Sequence, residues 1–216
     1  MMQNKTVLIT GASRGIGKAL AMKLGQQGAQ IIAIGRTVGG LEEVDDAIQK
    51  AGGKPALMVP LDLNDLQSLS TLGTQLAQRF EKLDLIIGCA ALLTKLGPLL
   101  YSPLVHLQQS LHLNVISNAA LLQTVHPLLS QSEKPQAIFL LNKIDKEPKQ
   151  FWAHYAASQA ALRTMLAIYA QENAEIKTNL LDTPPTDTWL FREAFPGYTG
   201  TLNTPEQTAD WVIGQL

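Results

Sequence analysis

The chain has 216 residues, 46% of them hydrophobic, enough for a substantial core within one domain spanning residues 1–216. Its 17 basic and 18 acidic residues nearly cancel, so there is no basic footprint for nucleic acid. No apolar run reaches the length of a membrane span, and the N-terminal Met-Met-Gln-Asn-Lys leads straight into a strand, with no room for a signal peptide. The one cysteine, Cys89, has no internal disulfide partner, and a reducing cytoplasm fits all of this. His106, His112, His126 and His154 are scattered without ligand spacing, so no metal site is expected.

The predicted elements alternate along the chain. A strand over 5–10 turns through glycines into a helix over 15–27. A second strand, 30–35, precedes a helix over 40–51 that ends at Gly52-Gly53. A third strand, 54–60, leads to a helix over 63–79 with apolar residues at Leu66, Leu69, Leu72, Leu76 and Phe80. The fourth strand, 83–88, is continuously apolar, as a strand covered on both faces must be. Helices over 103–111 and 113–129 precede a fifth strand, 136–141, and a helix over 152–173 precedes a sixth, 177–181. Trp189, Phe191, Phe195 and Tyr198 then fall in one short segment, before a last helix from Thr204 through Trp211. This alternation predicts an α/β fold: a Rossmann-like, doubly wound parallel sheet with right-handed crossovers. Ligands of such a sheet sit beyond the carboxyl ends of its strands.

The first of those ends carries the strongest signal. Thr10-Gly11-Ala12-Ser13-Arg14-Gly15-Ile16-Gly17 joins a buried strand to a helix, which gathers backbone N–H groups at the positive end of a helix dipole. Gly11 suits the tight turn, Gly15 the close approach of a pyrophosphate, and Gly17 the close packing of helix on strand. After the second strand stands Arg36, where an acidic residue would hold a ribose 2′-hydroxyl. Arginine there, with Arg14 in the turn, favours the 2′-phosphate, and so NADP(H) over NAD(H).

The T-G-x-x-x-G-x-G spacing resembles the short-chain dehydrogenase/reductase family, and the likeness runs over about residues 5–205. The resemblance implies a cofactor site built from Gly11, Ser13, Arg14, Gly15, Ile16, Gly17, Arg36, Asp62, Leu63 and Ala90, with Asp62 accepting from the adenine amine. Asp62 and Asn64 also suit capping of the helix that follows. Where the family shows Asn-Asn-Ala-Gly, this chain has Gly88-Cys89-Ala90-Ala91, which loses an amide that braces the central strands. Asn114 matches the family's helix-bending asparagine, which holds a water of the proton relay. Tyr155 matches the proton-transferring tyrosine of Y-x-x-x-K. The lysine position, however, holds Gln159, and the serine position, thirteen residues before the tyrosine, holds Asn142. Gln159 can still hydrogen-bond a ribose but supplies no charge, and an Asn142 amide can polarise a carbonyl. Lys143, by strand alternation, points to the other face. Pro185 stands where a glycine contacts the nicotinamide end.

These departures imply an oxidoreductase with weak activity toward a small carbonyl or alcohol. The alternative is a non-catalytic NADP(H)-binding sensor, or a partner subunit of an active homologue. The aromatic segment 189–198 reads equally as a lid over substrate or as packing on the domain flank. The resemblance also implies a six-stranded sheet of order 3-2-1-4-5-6, its seventh strand absent because the chain stops at Leu216. The helices over 113–129 and 152–173 would form a homodimer interface. A remoter reading comes from Asn142-Lys143-Ile144-Asp145, which resembles the guanine motif of GTPases. It fails because no phosphate loop of the form G-x-x-x-x-G-K-[ST] accompanies it.

Overall fold

The computed structural model describes residues 2–216, all but Asp145 with their side chains. The strands are β1 (Thr6–Thr10), β2 (Gln30–Gly35), β3 (Leu57–Pro60), β4 (Leu85–Gly88), β5 (Gln136–Leu141) and β6 (Lys177–Asp182). All pair in parallel, in the order β3-β2-β1-β4-β5-β6, as expected. The helices are α1 (Gly15–Gln26), α2 (Val38–Lys50), α3 (Leu66–Ala77), α4 (Leu104–Leu111), α5 (Ser117–Leu129), α6 (Ala153–Glu172), α7 (Trp189–Ala194) and α8 (Pro205–Ile213). A π-helical turn, His112–Ile116, joins α4 to α5.

Alternation along the strands divides the core between the two faces of the sheet. Leu8, Ile32, Ile34, Ile86, Ala137 and Phe139 pack under α3, α5 and α6. Val7, Ile9, Ile31, Ala33, Leu85, Ile87 and Ile138 pack under α1, α2 and α8. The register aligns the strand ends: Thr10 pairs with Ile34 of β2 and with Gly88 of β4. Three loops therefore leave the sheet side by side at the centre of one edge. At the opposite end, buried Asp84 accepts from Thr6 N–H (2.9 Å), Ser132 Oγ (2.7 Å) and Lys5 Nζ (3.0 Å). Burial alone would push its carboxyl up, but these donors outweigh it and hold the group ionised below the usual carboxylate range.

Several boundaries differ from the sequence reading. The third helix begins at Leu66 rather than at 63, because Asp65 is its cap, accepting from Ser68 N–H (3.1 Å). Asp62 Oδ1 instead accepts from both the backbone N–H and the side-chain amide of Asn64 (3.0 Å each), fixing the preceding turn. The helices around 103–129 form a continuous run, wound wider at the π turn, where Asn114 sits. The short helix α7 inside the aromatic segment was not expected; Thr188 caps it, its Oγ1 accepting from Phe191 N–H (3.2 Å). No helix among the described residues is long and apolar enough to cross a membrane.

Candidate active site

Gly11 (φ 65°) and Gly15 (φ 56°) take left-handed backbone conformations that side chains rarely adopt, which lets the chain reverse between β1 and α1. Ala12 N–H ties the turn to Ile34 O of β2 (3.0 Å). At Gly17 a Cβ would collide with the Gly11 carbonyl, so helix and turn touch backbone to backbone. No side chain caps α1 and no acidic residue lies in its first turn. Its positive end thus faces a cleft with nothing from these elements to neutralise it. The cleft has a volume of about 1230 Å³ and runs from Arg36 and Asp62, past the glycine turn, to Asn142 and Tyr155. Ser13, Arg14, Ile16, Leu63 and Ala90 share its wall.

The amide brace that the sequence lacks between the central strands is replaced by a hydroxyl. Thr10, fully buried, accepts at Oγ1 from Cys89 N–H (3.1 Å) and Ala90 N–H (3.2 Å). This holds the β4 exit against the glycine turn, where Gly11 lies so close to Ala90 that a Cβ would stand 3.1 Å from its backbone. At the outer end, Arg14 and Arg36 are exposed, and neither forms an ion pair with another described residue. The Arg14 guanidinium carbon lies 4.7 Å above the Trp189 ring.

Tyr155 is buried on the inner wall, and burial pushes its phenol well above the usual range. Asn142 lines the same cleft. Its Oδ1 accepts from Ile144 N–H (3.0 Å), which orients the amide and leaves both Nδ2 protons without a partner among the described residues.

Gln159 and Asn114 are placed differently from expectation. Gln159 is 2% exposed and does not reach the cleft wall; its Oε1 accepts from Asn142 N–H (2.9 Å). One turn further along α6, Arg163 Nη2 donates to Asn142 O (3.3 Å) and to Asp182 Oδ1 (2.5 Å). Helix α6 therefore grips the Asn142 peptide at both its N–H and its C=O. Asn114 is also spent internally. Its Oδ1 accepts from Leu92 N–H (2.8 Å), and its Nδ2 donates to Leu92 O (3.0 Å) and Ser158 Oγ (2.9 Å). In this structure it braces the segment after β4 against α6, with no amide donor left over for a relay water.

Lys143 is a correction to the strand-alternation argument. The strand ends at Leu141, a 3₁₀ turn follows, and Lys143 joins Glu147 and Lys149 on the cleft wall. Asp145, the last residue of the Asn-Lys-Ile-Asp run, has a side chain outside the described part of the structure. Trp189, Phe191, Phe195 and Tyr198 all line the cleft, which favours the lid over flank packing. Their rings continue inward, from Phe191 to Phe195 (4.9 Å) to Trp152 (5.4 Å) to Tyr155 (5.9 Å). The sequence reading missed Trp152, Thr188 and the bracing role of Thr10. Only Thr10 had a local signal, as the residue that opens the glycine turn.

A family model described as short chain dehydrogenase matches residues 5–199. The uncharacterized oxidoreductase YciK of Escherichia coli K12 is 30% identical over 91% of this chain and 79% of its own length. A short chain dehydrogenase of Shigella flexneri 2a, solved in complex with NADP, superposes with a TM-score of 0.89 at 28% identity, covering 95% of this chain and 88% of that one. One from Escherichia coli CFT073, solved with NADPH, also gives 0.89 at 28% identity, over 94% and 87%. The chain belongs to the short-chain dehydrogenase family of nicotinamide-dependent oxidoreductases that act on small molecules.

Proposed function

We propose that this chain is an NADP(H)-binding oxidoreductase that reduces small carbonyl compounds slowly, acting as one dinucleotide-binding domain in the cytoplasm. The observation that carries the reading is the uncapped mouth of α1 facing a cleft whose outer rim holds two guanidinium groups with no ion pair among the described residues. The mouth suits a diphosphate and the guanidiniums suit a further phosphate. NADP and NADPH in the cited neighbours support it. Gly11, Ser13, Gly15, Ile16 and Gly17 would hold the diphosphate, Arg14 and Arg36 the 2′-phosphate, and Asp62, Leu63 and Ala90 the adenosine side. The bound cofactor would supply the hydride. Tyr155, neutral at physiological pH, gives a proton to the carbonyl oxygen, and the free Asn142 amide polarises that oxygen.

A second reading, a cofactor-binding protein without turnover, is favoured by Gln159. That residue neither reaches the cleft nor carries charge.

Calorimetric titration with NADPH and NADH, followed by a panel of ketones and aldehydes, separates the two. NADPH is expected to bind more tightly. Arg14→Ala and Arg36→Ala are each expected to weaken NADPH about 10- to 100-fold while sparing NADH, the worth of a charge-assisted hydrogen bond. Tight NADPH binding with no oxidation across the panel would remove the catalytic half of the proposal.

We also propose a homodimer through α4, α5 and α6. No Asp, Glu, Lys or Arg occurs from Leu96 to Ser132, and α6 carries only Arg163, turned to Asp182, before Glu172. Leu104 of α4 (72% exposed), Ile116 of the π turn (45%) and Ile168 of α6 (50%) stand open. An almost uncharged outer surface with open apolar side chains suits a self-complementary two-fold contact. Sedimentation should give twice the chain mass, and Ile168→Glu should yield monomer; a monomeric parent protein would refute the contact.

A further inference from the structure

The cation–π contact at the rim carries an inference that rests on the NADP(H) reading and adds a residue to it. The Arg14 guanidinium carbon lies over the Trp189 ring, 4.7 Å from its centroid, within the reach of a cation–π attraction. Its N–H groups lie along the edges of the same plane, and no hydrogen bond or ion pair among the described residues engages them. A cation–π contact takes none of these N–H groups into a hydrogen bond, so a phosphate can still engage them.

The backbone that carries Trp189 is held on both sides. Trp189 opens α7, directly after Thr188, whose methyl lies 3.4 Å from where a Cβ would stand on Gly15. The base of α7 is pinned by Arg192, which donates to both Asp187 oxygens (2.7 and 3.0 Å) and to Tyr198 O (3.2 Å). Thr186 Oγ1 is also bonded to Thr208 Oγ1 of α8 (2.7 Å). Helix α8 in turn is tied to α1 by Lys23 and Asp210 (2.5 Å). The backbone at Trp189 thus belongs to a frame anchored on the same helix whose mouth would hold the diphosphate.

We infer that Trp189 is a specificity-determining residue for the phosphorylated cofactor: it pre-orients Arg14 with its edges free for the 2′-phosphate. An exposed arginine without such a backing spreads over many rotamers, and ordering it opposes binding. The benefit falls on NADP⁺ alone, because NAD⁺ offers no phosphate for Arg14 to meet.

The test is the dissociation constant of NADP⁺ and of NAD⁺ for the parent protein and for Trp189→Ala, Trp189→Phe, Arg14→Ala and the Arg14→Ala/Trp189→Ala double variant. Trp189→Ala is expected to weaken NADP⁺ roughly two- to fivefold, the span of an exposed cation–π contact, with NAD⁺ unchanged. Phenylalanine should restore most of the loss. In the Arg14→Ala background, Trp189→Ala should have no further effect. Equal weakening of both cofactors would make Trp189 a general packing residue. No change, or tighter NADP⁺, would also overturn the inference. A parent protein that does not bind NADP⁺ defeats the underlying reading; one whose NADP⁺ affinity depends on Arg14 but not on Trp189 defeats this inference alone.

Discussion

Serine at position 142 combined with lysine at position 159 is expected to raise NADPH-dependent reduction of small ketones by about 10²–10⁴-fold, the usual range for assisted proton transfer. In the proposed site, burial is what acts on the Tyr155 phenol, and no charged group among the described residues eases its ionisation. Burial disfavours the phenolate, so the Tyr155 pKa is raised and the residue stays protonated across the physiological range. As an acid it is weak but available. As a base for the reverse reaction it is almost never ready. Reduction by the native protein should therefore be flat through neutral pH, and alcohol oxidation should climb without a plateau below about pH 10, the pKa of a free phenol. A cation at 159 favours the phenolate, so in the Asn142→Ser/Gln159→Lys variant the oxidation limb should move to lower pH.

The two substitutions belong together, and the structure says why. Gln159→Lys alone removes the acceptor of Asn142 N–H and places a cation in a buried position beside Arg163. The ammonium gains by extending toward the open cleft, and the shorter serine at 142 makes room for substrate there. Lysine alone should cost stability and show little activity. Stopped-flow and steady-state rates over a pH series check the result. If the double variant binds NADPH as the parent does yet shows no gain, the obstacle lies in the Pro184-Pro185 turn, which lines the same cleft and is pinned by Asn203 N–H to Pro185 O (3.0 Å).

Gly17→Ala should abolish useful cofactor binding. A Cβ there would overlap the Gly11 carbonyl oxygen and stand 2.8 Å from the Gly11 carbon and 3.2 Å from Thr10 O. All three neighbours are backbone, so no rotamer change relieves the clash. Either α1 lifts from the turn or Gly11 moves off Ala90. Such overpacking typically costs about 1–3 kcal/mol of stability. The displaced amides should lose one or two charge-assisted hydrogen bonds to the diphosphate, or roughly 10- to 1000-fold in affinity for NADPH and NADH alike. Equal weakening for both cofactors distinguishes this variant from the arginine variants, which spare NADH. Urea unfolding measured in parallel separates the two costs, and native affinity in a folded Gly17→Ala protein would refute the role given to this turn.

Most of the architecture was legible in the chain itself because its signals are local. Alternating apolar runs and helical periods set six strands and their helices, and three glycines at their particular spacing mark where a strand turns into a helix. Tyr155 and the substitutions at positions 142 and 159 were legible only through the resemblance to the family's motif. What each of those side chains does was decided elsewhere. A side-chain amide can face in several directions, and only packing between distant segments chooses one. Leu92 and Ser158 claimed Asn114, the Asn142 peptide claimed Gln159, and Asn64 claimed Asp62. Thr10 took over a brace that neither Gly88 nor Cys89 has an amide side chain to provide. The contact of Arg14 with Trp189 joins residues that are neighbours only after the segment following β6 has returned to the mouth of α1. Local periodicity fixes the elements because it is written in consecutive residues; hydrogen-bond partners are assigned only when remote parts of the chain meet.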